Sequence, residues 1–317
     1  MRWPGTILRE AGILSMNQRN ADFIMRHNER RLYPLVDDKL QTKALAQKAG
    51  IAVPELYGVV RTEHAIRDLE DTLGDKTSFV VKPAHGSGGN GILVVKDRRA
   101  RGYIKASGSM MSDSELGHHI SNILSGMFSL GGMPDQAMIE YCVQFDPIFE
   151  NVAFQGVPDI RTIVFRGVPL ASMVRLPTRS SDGKANLHQG AVGAGIDLST
   201  GVTQDGVCQN ARVSSHPDTG APLAGIGIPG WDTLLLLAAR CYDLARLGYL
   251  GVDVVLDRNH GPLVLELNAR PGLSIQLANR RGLLPVLQAI ERQKTIPDTA
   301  EERVALGLDL LARHTPA

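Results

Sequence analysis

Little in this sequence points outside the cell, into a membrane or onto nucleic acid. Its three cysteines, Cys142, Cys208 and Cys241, are an odd number with no CxxC spacing. That speaks against a disulfide framework and a structural zinc site, and suits a reducing cytoplasm. Long hydrophobic runs are missing too, since the most apolar stretch, Leu234–Ala239, is only six residues. It lies within Trp231–Gly248, where Asp232, Arg240, Asp243 and Arg246 recur on one side, the pattern of a buried amphipathic helix rather than a membrane span. The start, MRWPGTILREAG, carries charges where a signal peptide needs an apolar stretch, so no export is expected. Charge of one sign is also lacking. The formal net charge is +1, and the basic cluster Arg26–Arg31 is interrupted by His27, Asn28 and Glu29, so it reads as a solvated helix end. No nucleic-acid partner and no membrane insertion are expected, while a homo-oligomer stays open. With 317 residues the chain has room for one large multi-lobed domain or two modest ones.

No internal repeat or low-complexity tract is visible. Residues 16–49 read as helical, broken near Pro34, with Lys39–Ala49 ended by Gly50 at the C-cap. Ile51–Pro54 begins an extended segment, and Phe79–Pro83 and Ile92–Lys96 are β-rich runs on either side of a glycine loop. A helix is expected near Ser112–Phe128, followed by strands at Ala137–Val143, Ile160–Phe165 and Leu170–Leu176 and the pair Gly251–Asp257 with Pro262–Asn268. Irregular alternation with tight turns between strands favours an α+β architecture with antiparallel sheets over a doubly wound parallel sheet.

The loop His85–Ile92, HGSGGNGI, matches G-x-G-x-x-G at Gly86, Gly88 and Gly91. A dinucleotide-binding reading needs a helix after the loop, and the strand-like ILVVK follows instead. A P-loop needs Lys-Ser/Thr after its last glycine, where Ile92 stands. A kinase reading needs its lysine on the strand beyond the loop, with HRD and DFG elements, and here Lys82 lies on the strand entering it. A flexible surface turn is the plain alternative. Against it, four glycines leave backbone N–H groups free to approach a phosphate, at an entropy cost a surface turn has little reason to bear.

The second signal is GVDVVLDRNHGPLVLELNARPG, Gly251–Gly272. If Arg258–Gly261 forms a hairpin loop, Asp257 faces Pro262. Val252, Val254 and Leu256 then share an apolar face with Leu267, Leu265 and Leu263. The other face sets Asp253 opposite Glu266, with Asn268 on the same side. Facing carboxylates repel, so one is protonated, a basic side chain intervenes, or a divalent cation bridges them. Oxygen donors of this kind suit Mg²⁺. A solvent-facing polar strand edge is the alternative.

In this order the motifs resemble the ATP-grasp superfamily, and within it the ribosomal-protein-S6 glutamate ligase group and the alpha-L-glutamate ligase-like proteins. The residues that carry the resemblance are Asp38-Lys39 opening a helix, VVKP with Lys82, GSGGNGI, Ile139-Glu140-Tyr141, Pro158-Asp159-Ile160-Arg161, Ala185–Gly190 (ANLHQG) and the Asp253, Glu266, Asn268 set. The resemblance implies an ATP-grasp fold in which two α+β lobes with antiparallel sheets grip the nucleotide. It implies a short helical segment at 1–34, a lobe with the glycine loop at 35–140 and a lobe with the metal site at 141–317. Only about 34 residues precede the first lysine segment, so a full N-terminal pre-ATP-grasp domain is not expected.

By the same resemblance Lys39 and Lys82 contact phosphates, and Gly86, Ser87, Gly88, Gly89 and Gly91 form the covering loop. Glu140, Tyr141 and Asp159 hold the adenosine, and Asn186 touches nucleotide or metal. Arg161, Arg175 and Arg270 face the transferring phosphoryl group, and Asp253, Glu266 and Asn268 hold Mg²⁺, with Mn²⁺ as an alternative. ATP would phosphorylate a substrate carboxylate, and an amine acceptor would attack the acyl-phosphate to form an amide. The carboxylate partner is an amino acid or peptide, with glutamate suggested by the resemblance. Arg175–Gln189, which includes Arg179 and His188, is the candidate substrate-recognition segment. An ATP-grasp phosphotransferase and a non-catalytic nucleotide-binding protein are the other readings.

Overall fold

Two antiparallel sheets, each backed by helices, organise the chain. The computed structural model describes residues 4–314 apart from Ser87, Ala100 and Arg101. The first sheet contains β1 (Leu56–Val60), β2 (Phe79–Pro83), β3 (Leu93–Arg99), β4 (Gly102–Lys105), β5 (Met110–Met111) and β6 (Ala137–Glu140), in the order β1-β6-β2-β3-β4-β5. The second contains β7 (Asp159–Phe165), β8 (Val168–Leu176), β9 (Val192–Ile196), β10 (Thr203–Cys208), β11 (Ala211–Val213), β12 (Tyr249–Asp257) and β13 (Gly261–Asn268), in the order β11-β10-β9-β8-β7-β12-β13. This is the α+β arrangement the sequence predicts.

Each sheet has its own core. Phe79, Val81, Val95 and Ile139 pack against Leu116, Ile120 and Ile123 of the helix Asp113–Leu124. Those helical residues recur at i, i+4 and i+7, and each buried aliphatic side chain contributes about 1.5–3 kcal/mol. Ser112 and Glu115 start that helix with a reciprocal capping box. It ends at Leu124, four residues before the expected Phe128. Gly126, at φ +85°, turns the chain there, and Phe128 is freed to pack on the glycine loop. The larger core joins Ile163, Phe165, Leu250, Val252 and Val254 to Leu234, Leu235, Ala238 and Cys241 of the helix Trp231–Ala245.

Residues 16–49 are mostly helical, as expected, with more breaks than the one near Pro34: Met16–His27 is one run with a π segment at Arg19–Ile24, followed by Arg30–Leu32, Pro34–Asp37 and Lys39–Lys48. Asn28 leaves the helix in an extended conformation. Its side chain thereby donates to the carbonyls of Tyr249 and Ala269 and accepts from Tyr249 N–H. Arg19 Nη1 likewise donates to the Pro271 carbonyl at 2.7 Å, so this segment braces the open end of the β12–β13 hairpin. Val36, Ala46 and Ile51 join the larger core. The strand β6 ends at Glu140 rather than Val143, with Tyr141 N–H still bonded to the Glu55 carbonyl at 2.8 Å beside the start of β1.

The hairpin register is right at the carboxylates and wrong near the turn. Asp253 pairs with Glu266 and Val252 with Leu267, but Asp257 pairs with Gly261, not Pro262. A bulge between Asp253 and Val254 absorbs one residue of β13. Beyond it every side chain changes face, so Val264 enters the large core while Leu263 and Leu265 join Val143 and Val255 on the other side. Asp257 Oδ1 closes the turn by accepting from the N–H groups of Asn259 and His260.

Candidate functional site

Strand alternation brings the charged residues of β8, β7, β12 and β13 to one face. Arg175 pairs across the ladder with Asp159, and Arg161 with Asp253. Arg161 holds Asp253 with two hydrogen bonds, Nε to Oδ1 at 2.7 Å and Nη2 to Oδ2 at 2.5 Å. Arg175 forks between both carboxylates, with Nε and Nη2 on Asp159 at 2.5 and 2.6 Å and Nη2 on Asp253 Oδ2 at 2.7 Å. Asn268 Nδ2 donates at 3.2 Å to both Asp253 and Glu266. Of the two facing carboxylates, Asp253 is thus neutralised by arginines, and the Asn268 amide bridges it to Glu266. Burial alone would raise Asp253, but Arg161 and Arg175 outweigh it and hold the carboxyl at about 2. Burial, opposed by Arg175 and reinforced by the Asp253 charge, leaves Asp159 above its ordinary value.

A second cluster lies under the first sheet. Glu140 is buried between two ammonium groups, Lys82 at Oε1 and Lys43 at 3.0 Å from Oε2. Burial would raise this carboxyl, yet the two lysines bring it below its ordinary value. Lys43 also donates to the Pro54 carbonyl. Lys43 stands four residues after Lys39 and so shares its helix face, the one signal in the sequence that marks it. Replacing Lys43 with Met should lower stability by about 1.5–3 kcal/mol, the usual worth of a hydrogen bond to a charged group, read as a shift in denaturant midpoint.

Lys39 links the two clusters. Its Nζ donates to the Gly86 carbonyl at 2.5 Å and lies 3.9 Å from Glu266 Oε2. Burial lowers its pKa, against the pull of Glu266. The loop it touches is set by backbone. Gly91 sits at φ +76°, and a Cβ there would stand 2.6 Å from the Phe128 ring, while its carbonyl meets His119 Nε2 at 3.0 Å. Gly88 and Gly89 approach Asn186 and Lys184 of the second lobe. Ser87 lies outside the described residues.

The remaining expected residues sit further out. Asn186 Oδ1 accepts from the N–H of His188, whose ring is exposed. The Arg270 guanidinium lies over the Tyr33 ring at 5.2 Å, and Arg179 over Phe154 at 5.0 Å. The Tyr141 ring meets His260 edge-on at 5.1 Å and borders a small apolar patch of Val143, Val255, Leu263 and Leu265. His85 and Asp135 join the loop to its lobe, and Asp135 offers no sequence signal.

The donors fit a divalent cation. Among the described residues no three His, Cys, Asp or Glu are grouped to hold a metal ion, so a cation on Asp253 and Glu266 would need a donor of another kind, such as the carboxamide of Asn268, whose Nδ2 donates to both. Two carboxylates and an amide oxygen are hard donors of the kind Mg²⁺ takes alongside phosphate oxygens.

Antiparallel sheets on two lobes, with paired lysines, a glycine loop and a carboxylate hairpin between them, define the ATP-grasp class. The chain belongs to the sugar-transfer associated ATP-grasp family, which it matches over residues 18–292. It is 25% identical over 236 residues to a probable alpha-L-glutamate ligase of Maridesulfovibrio salexigens, covering 74% of this chain and 56% of that protein. It is 24% identical over 257 residues to a probable alpha-L-glutamate ligase 1 of Shewanella denitrificans, covering 80% and 64%. The chain thus spans a little over half the length of these relatives. The D-alanine–D-alanine ligase of Bacillus anthracis complexed with ATP superimposes with a TM-score of 0.43 at 15% identity, over 89% of this chain and 68% of the other. No described helix is long and apolar enough to cross a membrane.

Proposed function

We propose that this chain is an ADP-forming carboxylate–amine ligase that works in the cytoplasm on an amino acid or peptide carboxylate. The observation that carries the reading is Lys39, which meets the glycine loop at Gly86 and the carboxylate hairpin at Glu266. One ammonium thereby ties the phosphate-covering backbone to the cation donors, where the terminal phosphates of ATP would lie. Lys82 and the backbone of Gly86, Gly88, Gly89 and Gly91 line the same phosphates. Tyr141 and Leu265, half-buried beside the buried cluster of Val143, Val255 and Leu263, would border the adenine, with Glu140 and Asp159 bordering the nucleotide. The lobes at 35–140 and 141–317 would close on it, with 1–34 as a brace and Asn186 meeting the loop.

Mg²⁺ held by Asp253, Glu266 and Asn268 would neutralise charge on the β- and γ-phosphates; Mn²⁺ suits the same donors. A substrate carboxylate oxygen attacks the γ-phosphorus and ADP departs. Arg161, Arg175 and Arg270 supply fixed positive charge to the transferring group. An amine then attacks the acyl-phosphate carbonyl, phosphate leaves, and the amine's extra proton passes to solvent. Closing the glycine loop shields the intermediate from water. Relatives named as glutamate ligases support glutamate as the first carboxylate to try.

The test is a mass-spectrometric assay of purified protein with Mg-ATP, glutamate and a panel of amino acids and short peptides. An amide product with equimolar ADP is expected. ADP with a phosphorylated product and no amide would overturn ligation in favour of phosphotransfer.

A further inference from the structure

The root of the glycine loop is fastened by a histidine that the nucleotide reading leaves without a task. Asp135 has a fully buried side chain. It accepts from His85 N–H at 3.0 and 3.2 Å, from Gln136 N–H at 2.7 Å, and from the His85 ring at Nδ1, 2.7 Å away. A buried carboxylate needs such partners, and because it only accepts, Nδ1 carries the proton. The other ring nitrogen, Nε2, then faces Asp38 Oδ2 at 3.6 Å. Asp38 is the N-cap of the helix Lys39–Lys48, accepting from Leu40 N–H at 2.8 Å. On either side of His85, the Ala84 carbonyl accepts from Lys39 N–H at 3.1 Å and the Gly86 carbonyl from Lys39 Nζ. Three consecutive residues of the loop root thus meet two consecutive residues at the start of the lysine helix. Meanwhile the ring stays 42% exposed, unlike a histidine filling a core.

We infer that His85 is a positioning residue for the nucleotide phosphates, resting on the nucleotide reading above. Asp135 holds the backbone and ring of His85, and the bonds of Lys39 to Ala84 and Gly86 on either side then keep the glycine loop and Lys39 in one relative placement. The neighbouring charges fit this task. The Asp37 carboxyl lies within the fields of Arg270, Lys39 and His85, so positive charge gathers at the start of the lysine helix. A residue acting this way matters for the β- and γ-phosphates and not for the nucleoside.

The test is calorimetric binding of Mg-ATP and of AMP to the full chain and to three variants, with thermal melting as the fold control. His85→Ala should weaken Mg-ATP roughly tenfold or more, the worth of one charge-assisted hydrogen bond, and leave AMP unchanged. His85→Asn keeps a donor near Nδ1 and should retain most of the affinity, whereas His85→Gln, with its amide nearer Nε2, should not. If His85→Ala fails to fold, the Asn and Gln pair decides. Unchanged Mg-ATP affinity in the folded variants, or equal loss for AMP, overturns the inference. A wild type that binds AMP but gains nothing from the added phosphates and Mg²⁺ overturns the nucleotide reading itself.

Discussion

Replacing Glu266 with Gln should cut amide formation by about 10²–10³-fold while the protein stays folded. Glu266 is a third exposed, and its partners are Asn268 Nδ2 at 3.2 Å and Lys39 at 3.9 Å. A glutamine keeps the side-chain shape and one oxygen, so the fold loses little. What goes is the negative charge that would hold the cation in the proposed site, and with it charge neutralisation in the transition state. Single-turnover kinetics should show the loss in the chemical step, with a smaller change in ATP affinity without metal. A variant that turns over at the wild-type rate would show that Glu266 is an ordinary strand-edge residue and would remove the cation site from the mechanism.

Glu140→Ala should destabilise the protein by about 3–5 kcal/mol, the usual cost of stranding a buried charge. Here two charges are stranded, on Lys43 and Lys82, whose side chains are 6% and 8% exposed. Urea unfolding should show a lower midpoint, with the slope unchanged if both states keep their compactness. Its pH dependence follows from the depressed carboxyl, whose ordinary value is 4.5. A folded pKa below the unfolded one contributes stability that is fully present above about pH 4.5 and is lost as pH falls through the lower folded value. The wild type should lose this increment on acidification and Glu140→Ala should not. A variant as stable as the wild type would mean that the lysines find other partners, and the pair would lose its structural role.

The site was legible where chemistry is dense in sequence. Lys82 with its glycines, and Asp253 with Glu266 and Asn268, are short-range patterns whose residue types have few other uses, and strand period 2 places them without tertiary knowledge. What stayed hidden depends on contacts across the chain. The bulge in β13 arises because Val264 fills the large core and Leu265 the small patch, which alternation alone cannot predict. Strand β9, Val192–Ile196, reads VGAGI, with glycines where a strand pattern would show β-branched residues. At Gly195 a Cβ would stand 2.6 Å from the Ala278 carbonyl, so neighbouring backbone demands the glycine. Asp135 lies 50 residues from the histidine it orients, and Asn28 over 200 from the carbonyls it caps. Such pairings leave no local trace.

The division of the interior into a large core and a separate small one bears on how the molecule opens. Cooperative units of this kind unfold locally with free energies of their own, the smaller one below the global value. Beside the cores of the two sheets, only Val143, Val255, Leu263 and their few neighbours form a third cluster. A nucleotide held from both sides would therefore add a thermodynamic linkage between the two sheet cores, and its binding free energy would be felt most by the smaller of them.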